Sequence, residues 1–178
     1  MTVLQKAVFL DRDGVLNKTK ALNGKPYAPK FFNDFFLYEC AAKQLYRLKE
    51  RNFKLIVVTN QPDVGNGITE SSEVDKMHKF ITDNLPIDLI KTCFHSQTFG
   101  CSCRKPSPGM FFQAARELRV SALESFMIGD RYSDIKAGNS FGCRSILIDR
   151  YYLEDAIASP WRVSKSLTES VTAILSVN

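Results

Sequence analysis

Five short apolar runs, separated by segments with helical spacing, constrain the fold of this chain more than any other feature. The runs cover residues 6–11, 53–59, 87–94, 126–129 and 144–149. Between the first two, Ala41, Leu45 and Leu48 recur at the interval of one helix face. Strands that are apolar along their whole length and alternate with helices are typical of a parallel sheet covered on both faces. We therefore predict an α/β fold with a Rossmann-like parallel sheet flanked by helices on both faces.

Other segments with helical spacing or capping residues complete the predicted secondary structure. Helices are predicted around Val74 to Leu85, after Ser107 as N-cap with Pro108 in the first turn, over 133–141, and from Ser166 onward. Residues 23–29 form a turn-rich insertion of unassigned role, and the aromatic stretch 31–38 follows it. This aromatic stretch could form a substrate lid, but its composition favours a place in the core.

Length, charge and hydropathy narrow the class of protein. A chain of 178 residues is expected to form one domain over 1–178. Its net charge of +5 suits an anionic ligand, whereas the lack of a run of five or more Lys/Arg residues disfavours nucleic acid. It contains neither a signal peptide nor an apolar stretch of about 18 residues, so no membrane association is expected. We expect a cytoplasmic monomer.

Polar residues follow the predicted strands, at the edge of the sheet where ligands of open α/β folds bind. They are Asp11 and Asp13 after the first strand, Thr59, Asn60 and Gln61 after the second, Arg104 and Lys105 beyond the third, and Asp130 and Arg131 after the fourth. Asp134 follows four residues after Asp130. All of these side chains should meet at one edge of the sheet.

These residue types together favour phosphate chemistry. Three carboxylates at one edge repel each other, and Mg²⁺ binds such carboxylates together with phosphate oxygens. One aspartate can attack phosphorus, and another can transfer the proton to and from the leaving group. The hydroxyl of Thr59 and the amide of Asn60 can donate to phosphate oxygens, while Lys105 can neutralise their charge.

A cluster of Cys93, His95, Cys101 and Cys103 precedes Arg104 directly. Three interpretations compete: a cysteine nucleophile assisted by His95, a disulfide, or a zinc site. A nucleophile is already available in the aspartates, and Cys101 and Cys103 are too close in sequence for an unstrained bridge. The spacing is tighter than that of common zinc fingers, which by itself counts against zinc.

Four motifs resemble those of the haloacid dehalogenase phosphatase superfamily: FLDRDGVLN, VVTNQ, CRKPSPGM and IGDRYSD. Within it, they are most similar to subfamily IIIA, which includes the heptose 1,7-bisphosphate 7-phosphatases and the histidinol-phosphate phosphatases. The resemblance covers residues 6–150. It implies a Mg²⁺-dependent phosphatase without a large cap domain, acting through an aspartyl-phosphate on a small sugar phosphate, with heptose 1,7-bisphosphate favoured.

The resemblance also implies a role for each residue. Asp11 would be the nucleophile and a magnesium ligand, with Asp130 completing the site and Asp13 offering its backbone carbonyl. Asp13 would also be the general acid and base. Substrate contacts would come from Thr59, Asn60, Gln61, Arg104, Lys105 and Arg131.

The Cys/His cluster has a counterpart in this family, so the resemblance implies a structural Zn²⁺ held by the loop 93–103. The chain departs from the heptose phosphatases at Pro62-Asp63-Val64 and in its short loop from His95 to Cys101, which matches the histidinol-phosphate enzymes. A histidinol-phosphate phosphatase therefore remains the alternative, along with a nucleic-acid-end phosphatase or binding module on the same fold.

Overall fold

The centre of the computed structural model, which describes residues 4–177, is a six-stranded parallel sheet. The strands are β1 (Ala7–Leu10), β4 (Lys54–Asn60), β5 (Leu89–Cys93), β6 (Phe126–Gly129), β7 (Arg144–Ile148) and β8 (Arg162–Ser164). Their order across the sheet is β5-β4-β1-β6-β7-β8. Leu10 of β1 aligns with Val57 of β4 on one side and with Ile128 of β6 on the other. The predicted parallel α/β fold is confirmed.

Six α-helices within residues 4–177 cover the sheet or follow its strands. They are α1 (Ala41–Lys49), α2 (Pro62–Gly65), α3 (Ser71–Asn84), α4 (Gly109–Leu118), α5 (Tyr132–Phe141) and α6 (Leu167–Leu175). Because successive strand residues point to opposite faces, Val8 and Leu10 pack with α1, α3 and α6, whereas Ala7 and Phe9 pack with α4 and α5. Two apolar layers thus enclose β1 and fix the position of its carboxyl end.

The turn-rich insertion forms a small antiparallel hairpin of β2 (Lys20–Leu22) and β3 (Lys25–Tyr27). Asn23 and Gly24 both have positive φ, at 51° and 70°. Such a pair is favoured in two-residue hairpin turns because its twist matches that of the strands. Within residues 4–177, the loop after β1, this hairpin and the aromatic stretch separate β1 from α1, so no large domain is inserted between them.

The structure corrects several details of the predicted elements. Helix α4 begins at Gly109 with Pro108 in the N-cap position, one residue later than predicted, and no side chain caps it. The reason is that the backbone N–H of Ser107 donates to Arg104 O at 2.8 Å in a preceding turn. The aromatic stretch is mixed, since Phe35 is buried in the core while Phe31 and Phe36 are exposed. Strand β8 and helix α2 were not predicted, because three or four residues show no period.

A search of the helices within the described residues found none with the length and hydropathy needed to cross a bilayer.

Candidate active site

A cavity of about 600 Å³ lies at the carboxyl ends of the strands. It collects most of the residues that the sequence places at that edge, namely Asp11, Asp13, Asn60, Gln61, Arg104, Lys105, Asp130 and Arg131. Thr59 lies deeper, buried behind Gln61, whose Nε2 donates to Thr59 Oγ1 at 2.9 Å. The hairpin contributes Pro26 and Tyr27 to the wall of the cavity.

Lys105 is the buried cation of this cavity. Its Nζ lies 2.7 Å from Asp11 Oδ1 and 2.6 Å from Asp134 Oδ1, and it donates to Val58 O at 2.6 Å. Burial opposes its charge, but Asp11 and Asp134 outweigh burial and raise the pKa of Lys105. The ammonium group is therefore held permanently charged beside the first aspartate.

Asp11, Asp130 and Asp134 form an acidic cluster, each offering an oxygen within 4.8 Å of the others. Burial, reinforced by the neighbouring aspartates, raises the pKa of Asp11 to about 7 and that of Asp130 well above its usual range. Asp130 Oδ2 is buried and accepts no hydrogen bond from the part of the chain that the structure describes. Closely spaced carboxylates with an unsatisfied buried oxygen fit a divalent cation that prefers oxygen ligands, such as Mg²⁺.

The Asp13 side chain is separate from this cluster, because other groups hold both of its oxygens. Gln61 Nε2 donates to Oδ2 at 2.7 Å and Asn17 Nδ2 donates to Oδ1 at 2.9 Å. The guanidinium of Arg12 also bonds Oδ2, at 2.9 Å. The carboxylate is thus oriented by donors from three residues.

Two residues that support Asp13 were missed in the sequence. Arg12 is fully buried, and its Nη1 lies 3.4 Å from Nε2 of His78 on α3. Burial, with the adjacent Arg12 charge, lowers the pKa of His78 to about 4. The imidazole is therefore neutral and can accept from the arginine. The DRDG motif shows Arg12 beside the aspartates, but no sequence signal links it to His78, which lies 66 residues away.

Asn60 lines the cavity and also holds the backbone of Lys105. Its Nδ2 donates to Lys105 O at 3.0 Å, and its Oδ1 accepts from Lys105 N at 3.1 Å. Because an amide nitrogen carries two N–H groups, donation by Asn60 to phosphate stays a prediction.

Two arginines line the cavity, and their guanidinium groups differ in hydrogen bonding. Arg104 Nη1 is buried and has no hydrogen-bond partner among the described residues. Arg131 Nε donates to Glu154 Oε2 at 2.7 Å, and Arg131 also lines the cavity. Both arginines can therefore contact an anion in the cavity.

The Cys/His cluster lies next to this cavity, in the loop that follows β5. Cys103 Sγ lies 3.4 Å from Cys93 Sγ, 3.3 Å from Cys101 Sγ and 3.2 Å from His95 Nδ1. Four such ligands around one zinc, with Zn–S bonds of about 2.3 Å, would lie roughly 3.7 Å apart. All five cysteines of the chain are free thiols, so the disulfide interpretation is not supported.

The chemistry of these thiols also fits a cation. Burial raises the pKa of the Cys93 thiol to about 12, so its thiolate form needs a nearby positive charge. The part of the loop between His95 and Cys101 contributes Gln97 to the cavity wall. Gln97 Oε1 accepts from Asn66 Nδ2 at 2.9 Å. The cluster residues can therefore hold a structural metal that positions this wall.

Comparison with known proteins gives consistent matches. Residues 102–169 match a family model described as HAD-hydrolase-like. The D-glycero-beta-D-manno-heptose-1,7-bisphosphate 7-phosphatase of Helicobacter pylori is 29% identical over 95% of this chain and 97% of its own. The D-glycero-alpha-D-manno-heptose-1,7-bisphosphate 7-phosphatase of Campylobacter jejuni is 35% identical over 75% of this chain and 76% of its own.

A solved structure agrees with these relatives over nearly the whole chain. It is the D,D-heptose 1,7-bisphosphate phosphatase of B. bronchiseptica in complex with magnesium and phosphate, with a TM-score of 0.82 and 26% identity. The alignment covers 97% of this chain and 99% of that one. These relatives and the family model agree with the acidic cluster and the buried lysine at the strand ends. The chain therefore belongs to the haloacid dehalogenase-like family and is a phosphoric monoester hydrolase.

Proposed function

We propose that this phosphatase removes the 7-phosphate of D-glycero-D-manno-heptose 1,7-bisphosphate in a Mg²⁺-dependent reaction with Asp11 as the nucleophile. One observation carries the catalytic part of the proposal. The Lys105 ammonium bridges Asp11 and Asp134 at distances of 2.7 Å and 2.6 Å, at the edge of a cavity large enough for a sugar phosphate. This arrangement keeps Asp11 close to a fixed positive charge where a phosphate would approach.

The metal ligands in this proposal are the carboxylates of Asp11 and Asp130 and the backbone carbonyl of Asp13. Asp134 lies in the same acidic cluster but shares Lys105, so we assign it to orienting the lysine. When bound, Mg²⁺ would offset the charge of the carboxylates and of the phosphate oxygens. The unsatisfied Oδ2 of Asp130 supports this assignment.

Asp11 and Asp13 divide the chemistry. An Asp11 oxygen attacks phosphorus and the bond between phosphorus and the sugar oxygen breaks, while Asp13 gives a proton to the departing oxygen. Asp13 then takes a proton from a water molecule that attacks the aspartyl-phosphate, which releases inorganic phosphate and regenerates Asp11. To donate the first proton, Asp13 must be protonated and must loosen part of the hydrogen bonding from Arg12, Asn17 and Gln61.

The remaining predicted residues bind the substrate in this proposal. Lys105 would contact the transferring phosphate, with Gln61 beside it. The hydroxyl of Thr59 would contact the same phosphate once the Gln61 side chain, which now covers it, moves aside. Asn60 contributes by holding the Lys105 backbone. Arg104 and Arg131 would contact the substrate beyond that phosphate.

The substrate assignment is drawn from the relatives, whose names specify heptose 1,7-bisphosphate in both the alpha and the beta form. Both names describe a small phosphorylated substrate. We further propose that the enzyme works in the cytoplasm, because thiol ligands for zinc persist in a reducing compartment. We also propose that it is a single-domain monomer.

Zinc has a structural role in this proposal. The four ligand residues Cys93, His95, Cys101 and Cys103 would fill a tetrahedral shell and leave no open position for substrate. Arg104 follows the last of them, so the metal would set the position of the cations at the cavity.

The test is phosphate release from each anomer of the heptose bisphosphate with Mg²⁺, on protein whose zinc content has been measured. We expect release that the Asp11→Asn variant abolishes. Histidinol phosphate and a 5′-phosphorylated oligonucleotide serve as the competing substrates. Faster release from either of them would overturn the substrate assignment, and full activity of Asp11→Asn would overturn the mechanism.

A further inference from the structure

The segment 150–154 lies outside the four motifs, yet polar contacts of Arg150, Tyr152 and Glu154 reach residues of the active site or next to its hairpin. Arg150 Nη2 donates to Gly14 O at 2.8 Å, in the loop after β1. Tyr152 Oη lies 3.2 Å from Thr19 Oγ1, next to the hairpin. The segment has no regular secondary structure, so these contacts, rather than a helix or strand, hold it in place.

The hairpin contributes a close backbone contact to the same segment. Leu153 N donates to Gly24 O at 2.8 Å. A Cβ atom at position 24 would lie 2.4 Å from Leu153 Cγ, so the approach requires a glycine there. The segment is therefore fitted against the hairpin wall of the cavity.

Glu154 makes the contacts that reach the cavity residues most directly. Its Oε2 accepts from Arg131 Nε at 2.7 Å, and its Oε1 accepts from Tyr132 N, at the start of α5, at 3.0 Å. The Glu154 side chain is only 17% exposed, so it is poorly screened from Arg131. Both carboxylate oxygens are used, which fixes the carboxylate in two directions.

This geometry restricts where the Arg131 guanidinium can point. With Nε held by Glu154, the terminal nitrogens have no hydrogen-bond partner within residues 4–177 and can meet an anion or a hydroxyl of a ligand in the cavity that Arg131 lines. The ring of Tyr152 lies 6.0 Å from the guanidinium carbon and limits movement on another side. An arginine restricted in this way loses less conformational entropy when it binds a ligand.

We propose that Glu154 is a positioning residue for substrate binding, which presents Arg131 to the part of the sugar phosphate beyond the reacting phosphorus. Residues 150–154 act as a strap that joins Glu154 to the hairpin and to the loop after β1. This inference rests on the proposed function in assuming that the substrate extends past its reacting phosphate. It adds a residue that none of the four motifs contains.

Steady-state kinetics of Glu154→Gln tests the role of Glu154. We expect KM for the heptose bisphosphate to rise about tenfold, equivalent to roughly 1.4 kcal/mol of binding, with kcat within about twofold of wild type. Glu117→Gln is the matched control, since it breaks a comparable pair with Lys91 at 2.5 Å on an exposed surface. This control should leave both constants unchanged.

A double-variant cycle connects the effect to Arg131. Arg131→Gln should raise KM as much as Glu154→Gln does, and the combined variant should show no further rise. Additive effects, a loss confined to kcat, or an unchanged KM in Glu154→Gln would each overturn the proposal.

Two measurements separate failure of this proposal from failure of the proposed substrate. Wild-type turnover is measured first on the heptose bisphosphate, on histidinol phosphate and on p-nitrophenyl phosphate, and the cycle is run on the sugar or amino-alcohol phosphate that is cleaved best. Independently, NMR should show a slowly exchanging Arg131 Nε–H, identified by its loss in Arg131→Gln. A signal that stays unchanged in Glu154→Gln would overturn the contact whatever the substrate is.

Discussion

The side chain of Asn60 forms two hydrogen bonds with the backbone of Lys105, one to its carbonyl at 3.0 Å and one from its N–H at 3.1 Å. Asn60 ends β4, in the interior of the sheet, whereas Lys105 lies in the loop beyond the Cys/His cluster. The amide therefore connects the rigid sheet to this loop, which buries few apolar side chains itself. It places the Lys105 ammonium beside Asp11.

Replacing Asn60 by alanine should displace Lys105. We expect kcat to fall about 10- to 100-fold, since a shift of about 1 Å in a charged group can have such an effect. The loss of two hydrogen bonds should also reduce the free energy of unfolding by about 1–2 kcal/mol. Asn84→Ala is the control, because the Asn84 side chain donates to Phe80 O on an exposed surface. Equal activity in the two variants would contradict this account.

Replacing Gly14 by alanine should disturb the metal site. The residue has φ of +83°, and an added Cβ would lie 1.8 Å from Asp130 Oδ2. We expect Mg²⁺ affinity, measured by calorimetry, to fall at least tenfold because Asp130 must move. Gly67→Ala is the matched control, with φ of +69° and open space around its Cβ position. Both variants incur backbone strain of about 1 kcal/mol, so only a difference in Mg²⁺ affinity supports the prediction.

The acidic cluster should make Mg²⁺ binding and stability depend on pH in opposite ways. The pKa of Asp11 is about 7 in the folded chain against 3.8 for an ordinary aspartate, so the metal-free fold binds this proton more tightly than the unfolded chain does. The stability of the metal-free protein should therefore decline as pH rises from about 4 to 7. Asp130, whose pKa is also raised, should extend the decline.

Mg²⁺ competes with those protons, so its stabilising effect should be larger at pH 8 than at pH 5.5. Thermal unfolding with and without Mg²⁺ at the two pH values measures this difference. Asp130→Asn should reduce the Mg²⁺-dependent shift in Tm at both pH values. A shift in Tm that is independent of pH in the wild type would show that the cluster is already ionised without metal.

Loss of zinc should lower activity through the cations that follow the cluster. We expect Cys101→Ser to contain less than one zinc per chain by elemental analysis and to lose most of its phosphatase activity. Cys40 lies outside the cluster, so Cys40→Ser should retain both zinc and activity. Full activity in protein shown to be zinc-free would show that zinc at the cluster does not control the positions of Arg104 and Lys105.

The sequence by itself determined the sheet and the residues at its carboxyl edge. Apolar runs such as 53–59 that alternate with helical segments favour strands buried on both faces of a parallel sheet, and the residue after each run then lies at the ligand edge. This reasoning brings Asp11 and Asp130 together although they are distant in the chain. The Cys/His spacing likewise identified a cluster, because its members lie within eleven positions.

Only the tertiary structure decided which neighbours each of these residues has. The pairing of Arg12 with His78, of Asn60 with Lys105 and of Arg131 with Glu154 joins segments between 23 and 66 residues apart, and none of them follows a periodic pattern. Their positions depend on how loops return to the sheet edge, and loop paths are set by single contacts rather than by repeated apolar spacing. The strap at 150–154 is the clearest case, since an irregular segment is held in place by the site that it supports.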